Sequence, residues 1–535
     1  MNQMTPPPKI EIIPASAPFS EAQRSWLNGF FAGLLSTDGP AALSAEQGAA
    51  VLGGPIGEGD DGEAPWHDQT MPLADRMKLA EGRPLRRRMM APMAQQDCGQ
   101  CGYNCKDYSD AIASKAEARL NLCVPGGKET ARMLKALHAE LEKAPTPAEG
   151  SAAAPVVAIP ATATEPGRSR DNPVPATFVA RHLLNKPGSE KETWHIDFDL
   201  NDCGLDYIVG DSFGIFGRND LGHVDQIIAL LGASHLTEVR GRTLRDVLIS
   251  DVSLSPAPDT LFELFSFITG GTLREKARAL AQGEDRDGDA ATLDVMAALQ
   301  KFSGVRPHPE AFVEALEPLQ PRLYSISSSH NATPGKLSLT VDCVRYVVGK
   351  RRRLGLASTF LAERINPGDQ VNIYVQKAHG FALPEDPKVP IIMIGPGTGI
   401  APFRAFLLDR KATGAAGRNW LFFGHQRSDY DFFYADELNA MKTSGLLTRL
   451  SLAWSRDGDK KFYVQDRMRE VGRELWTWLA EGAHLYICGD AKRMAKDVER
   501  ALVDIVAQFG ARSIDEAVRF VAELKRTGRF QQDVY

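Results

Sequence analysis

The sequence predicts a multidomain chain: a small α-helical unit, then an antiparallel β-barrel with a helical insertion, then an α/β domain with a doubly wound parallel sheet. Three observations lead to this fold class. With 535 residues the chain is long enough for three or four domains. Two stretches, about 39–70 and 144–175, are rich in Gly, Ala and Pro and are typical of linkers. From residue 388 onward, buried strand-like segments alternate with amphipathic helical ones.

The domain boundaries follow from these shifts in composition and period. An early segment, "FSEAQRSWLNGFFAGLLS", has Ser20 as N-cap and aromatic residues at helical spacing. The predicted order is a docking or oligomerisation helix in 1–38, a linker in 39–70, a cysteine-containing unit in 71–143, a linker in 144–175, a barrel in 176–385 with a helical insertion at about 220–315, and an α/β domain in 386–535.

The barrel is predicted from segments in which apolar and polar positions alternate, as in half-buried strands. "TWHIDFDL", "KLSLTVDCVRYVV" and "DQVNIYVQ" each show this pattern. The block between them is different, since "VDQIIALLG" and "DTLFELFSFI" have helical spacing. We therefore expect helices to interrupt the barrel.

Composition and charge exclude several classes of function. Hydrophobic residues make up 43% of the chain and charged residues 24%, as in ordinary globular proteins. The net charge of −6 argues against a nucleic-acid partner. No signal peptide or membrane span is evident at the N-terminus. Four of the seven cysteines lie within 26 residues, a spacing that does not resemble the disulfide framework of an extracellular protein. The sequence therefore predicts a cytoplasmic protein.

A glycine-rich turn in "IIMIGPGTGIAPFR" follows the first strand of the α/β domain. Gly395, Gly397 and Gly399 would let the backbone approach a phosphate where the strand turns into a helix. The pattern is not a Walker loop, and Pro402 replaces the third glycine of a standard dinucleotide fingerprint. A tight strand-to-helix turn without a ligand remains the alternative.

The stretch "AWSRDGDKKFYVQD" indicates which nucleotide binds. Cations with hydroxyl and amide donors at a strand end suit a 2′-phosphate, whereas NAD would favour a carboxylate on its ribose. The sequence therefore predicts NADPH, with a solvated basic turn as the alternative. The residues concerned are Ser455, Arg456, Lys461, Tyr463 and Gln465.

Two further stretches predict a flavin site at the mouth of the barrel. In "PRLYSISSS", Arg322 suits a pyrophosphate, Tyr324 an isoalloxazine ring, and Ser325 a hydrogen bond near the flavin N5. In "GLASTFL", the small-residue turn Gly355, Leu356, Ala357 and Ser358 offers backbone amides to a diphosphate.

From about residue 171 to 535 the chain resembles the FAD/NADPH module of the diflavin reductases, in particular the NADPH-dependent sulfite reductase flavoprotein subunits. The motifs that carry the resemblance are R-x-Y-S-x-x-S, G-x-x-S, G-P-G-T-G-I-A-P-F-R, S-R-x4-K-x-Y-V-Q, C-G-D and the terminal "DVY". The resemblance implies that FAD binds to Arg322, Tyr324, Ser325, Tyr346 on the adenine side, Gly355, Leu356, Ala357, Ser358 and Tyr535.

The resemblance also implies the roles of the nucleotide-binding and catalytic residues. NADPH would contact Gly397, Thr398, Gly399 and Arg427, and its 2′-phosphate would bind the five residues of the basic stretch. Ser325, Cys488 and Asp533 match the polar group around the site of hydride transfer. Tyr535 matches the aromatic residue that covers the flavin ring and must move before nicotinamide can stack there.

One part of the family pattern is missing. Members of this family normally carry an N-terminal flavodoxin domain that holds FMN, and neither its first strand nor its phosphate loop is found in residues 1–170. FMN is therefore not expected. The segment around Ser20 is nevertheless similar to the one that precedes flavodoxin in the sulfite reductase subunit.

Four cysteines are predicted to supply the missing one-electron relay as a [4Fe–4S] cluster. Three of them lie in "DCGQCGYNC" and the fourth in "LNLCVPGG", with Pro125 close behind. They also resemble the ligands of a small [4Fe–4S] domain of electron-transfer proteins, although three rather than four residues separate the second and third. A zinc site is the alternative, but only one C-x2-C pair is present. The predicted ligands are Cys98, Cys101, Cys105 and Cys123.

Three functions remain open from the sequence. The first is an electron-transfer subunit that passes electrons from NADPH through FAD and the cluster to a haemoprotein; by resemblance this is the sirohaem subunit for assimilatory sulfite reduction to sulfide. The second is a reductase for a ferredoxin, a cytochrome or another haem enzyme. The third belongs to another class, a zinc-binding assembly or redox-sensor module. A homo-oligomer through the N-terminal helix is also predicted.

Overall fold

A computed structural model describes residues 64–69, 71–99, 101–143, 165–348, 350–378, 380–491 and 493–535. The predicted docking helix in 1–38 and the larger part of both predicted linkers lie outside these residues. Residues 65–535 form one compact unit. In the described part of the chain, no helix is both long and apolar enough to cross a membrane.

The cysteine-containing region is helical. Its small core contains Met89, Tyr108, Ile112 and Leu134, all buried. Asn104 caps the third helix, because its side-chain oxygen accepts a hydrogen bond from the Asp107 backbone N–H at 2.7 Å. The helices are α1 (Leu73–Leu79), α2 (Leu85–Met90), α3 (Cys105–Ala113) and α4 (Gly127–Lys143).

The barrel is a six-stranded antiparallel sheet whose strands pair in the order β4-β3-β6-β1-β2-β5. A bridge between Ile326 and Leu339 joins its two outer strands, which closes the sheet on itself. Phe178, Phe198 and Phe213 fill the interior. The strands are β1 (Val174–Leu183), β2 (Thr193–Asp199), β3 (Ser212–Ile215), β4 (Arg322–Ser325), β5 (Lys336–Asp342) and β6 (Gln370–Gln376).

The segment "KLSLTVDCVRYVV", predicted as one strand, is two strands in the structure. β5 ends at Asp342, and Arg345–Val348 pairs instead with Arg351–Leu354 in a separate hairpin. The break falls at Val344, whose N–H donates to Ser358 Oγ at 3.1 Å and whose carbonyl accepts from the Gly355 N–H at 2.8 Å. These hydrogen bonds replace the ladder that a continuous strand would have formed.

A helical block lies between β3 and β4. Phe262, Phe265 and Phe302 pack together at its centre, with ring centroids 5.1 to 6.4 Å apart. The helices are α5 (Leu221–Leu231), α6 (Leu244–Ser250), α7 (Asp259–Ile268), α8 (Gly271–Ala281), α9 (Val295–Lys301) and α10 (Pro309–Glu314).

The C-terminal region is a five-stranded parallel sheet with strand order β9-β8-β7-β10-β11. The order reverses between β7 and β10, which is where open α/β sheets bind ligands at the carboxyl ends of their strands. The strands are β7 (Ile391–Ile394), β8 (Asn419–His425), β9 (Arg449–Trp454), β10 (His484–Gly489) and β11 (Phe530–Val534). The helices are α11 (Ala401–Ala412), α12 (Ser428–Asp431), α13 (Ala435–Thr443), α14 (Val464–Glu470), α15 (Gly472–Ala480), α16 (Met494–Phe509) and α17 (Ile514–Arg526).

Candidate functional site

A cavity of ≈ 940 Å³ lies where the barrel, the parallel sheet and the cysteine-containing region meet. We call it the flavin cavity. Its walls contain every residue that the sequence predicts for FAD, together with two predicted for hydride transfer or NADPH. These residues are Arg322, Tyr324, Ser325, Tyr346, Gly355, Leu356, Ala357, Ser358, Thr398, Asp533 and Tyr535.

Arg322 presents a positive charge to this cavity. It lies on β4, and burial lowers the pKa of its guanidinium. In the described part of the chain it forms no ion pair with a carboxylate, and its hydrogen bond to the Pro321 carbonyl is long, at 3.4 Å. A partly buried guanidinium without an acidic partner suits an anionic ligand such as a diphosphate.

The flavin cavity is lined by further arginines besides Arg322, the one that the sequence predicts for it. Arg351, Arg352 and Arg353 follow one another on the second hairpin strand, and Arg364 lies at the end of the helical segment Phe360–Arg364 that follows the small-residue turn. Arg351 and Arg353 both pair with the buried carboxylate of Asp294. The run "KRRRLG" directly before the small-residue turn was the signal in the sequence that could have identified them.

The small-residue turn is tightly packed against the end of the hairpin. A Cβ at Gly355 would stand 2.5 Å from Ser358 Oγ and 2.9 Å from the Val344 side chain. Only glycine therefore fits at this position. The four residues of the turn line the flavin cavity.

Ser325, Cys488 and Asp533 converge as the resemblance implies. Cys488 and Asp533 are register partners on the adjacent parallel strands β10 and β11. Ser325 Oγ donates to Asp533 Oδ2 at 2.5 Å, and Cys488 Sγ lies 3.5 Å from the same oxygen. Burial raises the pKa of Asp533 above its ordinary value, although both donors act in the opposite direction. Cys488 is fully buried, and burial also raises the pKa of its thiol.

Tyr535 is held at the cavity by its backbone and by its hydroxyl. Its N–H donates to the Gly489 carbonyl at 3.0 Å, and its carbonyl accepts from the Ala491 N–H at 3.2 Å. Its hydroxyl lies 2.8 Å from Thr398 Oγ1. The residue is 57% exposed, so its ring is accessible while its backbone is fixed.

The glycine-rich turn packs directly on the neighbouring strand. A Cβ at Gly399 would stand 2.1 Å from the Cys488 carbonyl oxygen. Gly397 has a φ of +60°, in the left-handed region that favours glycine. The turn therefore needs these glycines for its close approach to β10, which supports the alternative interpretation of the motif as well as the phosphate-binding one.

Part of the predicted 2′-phosphate group is brought together at the carboxyl ends of β8 and β9. The Arg427 guanidinium donates to the Arg456 carbonyl at 3.2 Å, and Ser455 Oγ donates to the His425 carbonyl at 3.2 Å. Arg456 forms an ion pair with Glu190. The other three predicted residues follow in the loop and at the start of α14: Lys461, Tyr463 and Gln465.

The four predicted metal ligands line one cavity, which we call the thiol cavity. It measures only ≈ 10 Å³, about the space of one water molecule. Burial raises the pKa of the Cys101, Cys105 and Cys123 thiols, and the negative charge of neighbouring thiolates acts in the same direction on Cys101 and Cys105. Nowhere in the described ranges do three Cys, His, Asp or Glu side chains meet in an arrangement that would hold a single metal ion.

A polar network supports the cysteine loop. Asp97 Oδ1 accepts from the Cys105 N–H at 2.7 Å, and Asp97 Oδ2 lies 2.8 Å from His67 Nε2. His67 Nδ1 in turn lies 2.8 Å from Gln95 Oε1. Gln95 and Asp97 both have positive φ angles, of 59° and 45°. The network holds the loop in a strained backbone conformation next to the cysteines.

The thiol cavity and the flavin cavity share a wall. Gln96, Cys98 and Pro125 line both of them. On the barrel side, Gly99 packs against β6 so closely that a Cβ at this position would stand 2.8 Å from the Gln376 side chain. The thiol cavity therefore adjoins the predicted flavin site.

Ion pairs fix the cysteine-containing region to the helical block. Arg132 Nε lies 3.2 Å and Lys128 Nζ 3.7 Å from the carboxylate of Asp259, which is 15% exposed. Gln69 Nε2 also donates to Gln532 Oε1 on β11 at 3.3 Å. The region thus contacts both the helical block and the C-terminal sheet.

Two family models match the chain where the structure has its two sheets. The FAD binding domain matches residues 166–297 and 241–360, and the oxidoreductase NAD-binding domain matches residues 393–500. The antiparallel barrel with its helical block is therefore an FAD-type domain, and the parallel sheet is an NAD-type domain.

Curated relatives match over the same region. The sulfite reductase (NADPH) flavoprotein alpha-component of Photorhabdus laumondii is 42% identical over 371 residues, which are 69% of this chain and 61% of the relative. That of Klebsiella pneumoniae is 42% identical over 379 residues, with the same coverage. The protein of the same name from Enterobacter sp. is 38% identical over 438 residues, 80% of this chain and 71% of the relative.

The chain spans about 61% of the length of the first two of these relatives. The similarity to the Enterobacter protein extends over more than two thirds of that protein. From its two domains and this similarity, the chain belongs to the family of sulfite reductase (NADPH) flavoprotein alpha-components.

Proposed function

We propose that this chain is an NADPH-oxidising electron-transfer component that uses FAD and a [4Fe–4S] cluster to reduce a partner haemoprotein in the cytoplasm. The observation that carries the proposal is the wall shared by the flavin cavity and the thiol cavity. A two-electron donor and a one-electron acceptor need a relay within a short distance, and Cys98 adjoins both cavities.

Bound FAD would accept a hydride from NADPH and release electrons one at a time, and a bound [4Fe–4S] cluster would carry single electrons. The chain's own residues bind and orient these groups. Arg322 and the turn from Gly355 to Ser358 would hold the diphosphate, and Tyr324 would contact the flavin ring. Tyr346 borders the adenine side.

The residues at β10 and β11 organise the polar end of the site. Ser325 Oγ donates a hydrogen bond to Asp533 Oδ2, and the buried Cys488 thiol lies against the same carboxylate. This hydrogen bond fixes the orientation of the Ser325 hydroxyl, whose hydrogen points to Asp533. Tyr535 stands in the cavity wall beside Thr398, and we infer that the nicotinamide displaces its ring on binding.

NADPH would bind across the carboxyl ends of the parallel strands. Gly397, Thr398 and Gly399 would approach its diphosphate, and Arg427 would contact a phosphate or the nicotinamide ribose. The basic group of Ser455, Arg456, Lys461, Tyr463 and Gln465 would hold the 2′-phosphate. Two cationic side chains in this group, Arg456 and Lys461, complement a phosphate dianion.

Cys98, Cys101, Cys105 and Cys123 would hold the cluster. The donor set suits iron and sulfide, because four thiols line one mostly apolar cavity. The thiol side chains must move apart to admit it, since the cavity is far smaller than a cluster. A preformed mononuclear zinc site is not favoured by the geometry of the described residues.

Metal and cofactor analysis of the anaerobically purified chain tests this proposal. We expect about one FAD, four iron and four acid-labile sulfide per chain, with no FMN and no stoichiometric zinc. NADPH should bleach the flavin absorption and produce an EPR signal of a reduced cluster. Zinc without iron or sulfide would overturn the relay and favour an assembly or sensor module.

The identity of the partner is tested separately. By family, we propose the sirohaem subunit that reduces sulfite to sulfide with six electrons from three NADPH. Sulfide formation should appear when this chain, the haemoprotein, NADPH and sulfite are combined, and it should fail when any one is omitted. Reduction of only a ferredoxin, a cytochrome or another haem enzyme would keep the reductase and reject this partner.

A further inference from the structure

The loop between β1 and β2, residues 184–192, leaves the barrel and packs on the α/β domain. The Lys186 N–H donates to the Tyr430 carbonyl at 2.9 Å. Gly188 lies under the Tyr430 ring, where a Cβ would stand 2.9 Å from the ring carbon. Its φ of +105° also favours glycine. The loop thus reaches the carboxyl end of β8, where the nucleotide is expected.

A buried carboxylate anchors this loop. Asp431, 1% exposed, accepts hydrogen bonds from Asn185 Nδ2 at 2.8 Å and from Ser189 Oγ at 2.5 Å. Its second oxygen accepts from the Arg427 N–H at 3.0 Å. Ser189 is the residue directly before Glu190. The backbone that carries Glu190 is therefore fixed relative to Arg427, one of the predicted NADPH contacts.

Glu190 forms an ion pair with Arg456, a residue predicted to hold the 2′-phosphate. Both side chains remain partly open to solvent, with 64% of Glu190 and 41% of Arg456 exposed. A phosphate that binds Arg456 must therefore compete with the Glu190 carboxylate. A carboxylate beside a 2′-phosphate is also repelled by it.

We propose that Glu190 is a built-in competitor for the 2′-phosphate, which weakens the binding of NADPH and of NADP⁺ by the same factor. This inference rests on the proposed NADPH site. Substrate and product carry the same 2′-phosphate, so a competitor at Arg456 cannot distinguish them. Its effect is to ease the release of NADP⁺ and to raise the concentration of NADPH that is needed to fill the site.

Equilibrium binding of 2′,5′-ADP to the oxidised, FAD-loaded full chain tests this role without turnover. An exposed ion pair has a small energy, so we expect Glu190→Gln to bind 2′,5′-ADP about two- to fivefold tighter than the wild type. Binding of 5′-AMP, which lacks the 2′-phosphate, should not change. The inhibition constant of NADP⁺ should fall by the same factor.

Glu481→Gln is the matched control, because Glu481 forms an exposed ion pair with Arg418 near the start of β10, at the opposite end of the sheet. It should leave 2′,5′-ADP binding at the wild-type value. Equal affinities of Glu190→Gln and wild type, or a parallel gain for 5′-AMP, would overturn the inference.

Arg456→Ala separates this inference from the proposed NADPH site. If Arg456→Ala weakens 2′,5′-ADP binding and Glu190→Gln has no effect, only the competition is wrong. If Arg456→Ala also has no effect, Arg456 does not hold the 2′-phosphate and the competition falls with it. Melting temperatures of all three variants close to the wild-type value would show that the effects do not come from unfolding.

Discussion

Replacement of Asp431 by Asn should loosen the junction between the barrel and the α/β domain. The carboxylate is buried and accepts three hydrogen bonds, from Asn185, Ser189 and the Arg427 backbone. The amide of asparagine has the same shape but only one acceptor oxygen. Its NH₂ group takes the place of the other oxygen and cannot accept a hydrogen bond from the donor that faces it. At least one donor is then left unsatisfied in a buried place.

The expected loss is about 3 kcal/mol, since hydrogen bonds to a charged group contribute roughly 1.5–3 kcal/mol each and part of the set survives in the amide. For a domain of 150–250 residues this corresponds to a fall in Tm of roughly 6–12 °C. The Tm of the α/β domain, followed by circular dichroism of the full chain, measures this change. Asp457→Asn is the matched control, because Asp457 accepts from the Ser428 N–H on an exposed part of the same region.

The effect should depend on pH with a definite sign. Burial alone would raise the pKa of Asp431, but hydrogen bonds from Ser189 and Asn185 outweigh it, and the pKa lies below its ordinary value. A depressed carboxyl pKa stabilises the fold above the unfolded value of about 3.9, and this contribution is lost as pH falls toward the folded pKa. The Tm gap between wild type and Asp431→Asn should therefore be constant above about pH 7, where His425, 3.3 Å from Asp431 and with its pKa lowered by burial, is neutral, and it should narrow below about pH 4. A fall in Tm no larger than that of Asp457→Asn, or a gap that widens in acid, would contradict the stabilising role of Asp431.

Three further predictions concern the cofactor sites. Arg322→Ala should weaken FAD binding about 10- to 100-fold, as measured by titration of the apoprotein, because it removes charge-assisted hydrogen bonds to the diphosphate. Asp533→Asn should slow flavin reduction by NADPH in a stopped-flow experiment by at least about tenfold, since the Ser325 hydroxyl loses its carboxyl acceptor; an unchanged rate would exclude this role. Cys123→Ser should lower iron and acid-labile sulfide, whereas Cys343→Ser, a buried cysteine outside the thiol cavity, should retain both.

Predicted site residues that the structure brings into one cavity lie in contiguous motifs. The segments 322–325 and 355–358 both line the flavin cavity. Each segment is short, so it brings several site residues together. Strand alternation and strand-to-helix rhythm similarly located both sheets. In each case the pattern has a period or a spacing that belongs to local structure.

Features that depend on distant contacts were missed. The ion pair of Glu190 with Arg456 joins residues 266 positions apart, and no local pattern marks Glu190 as a partner. The network from His67 to Asp97 spans 30 positions. The break at Val344 likewise depends on Ser358, which is 14 positions later and accepts its N–H. The local sequence favours a continuous strand, but the tertiary hydrogen bond to Ser358 ends the strand before Val344.

The wall shared by the two cavities has a consequence for biogenesis. Cys98 lines the flavin cavity as well as the thiol cavity, so a group bound in one cavity would restrict access to Cys98 from that side. If the chain holds both proposed groups, insertion of the first would therefore alter the route that remains for the second. Chain loaded with flavin before iron would then differ at Cys98 from chain loaded with iron first.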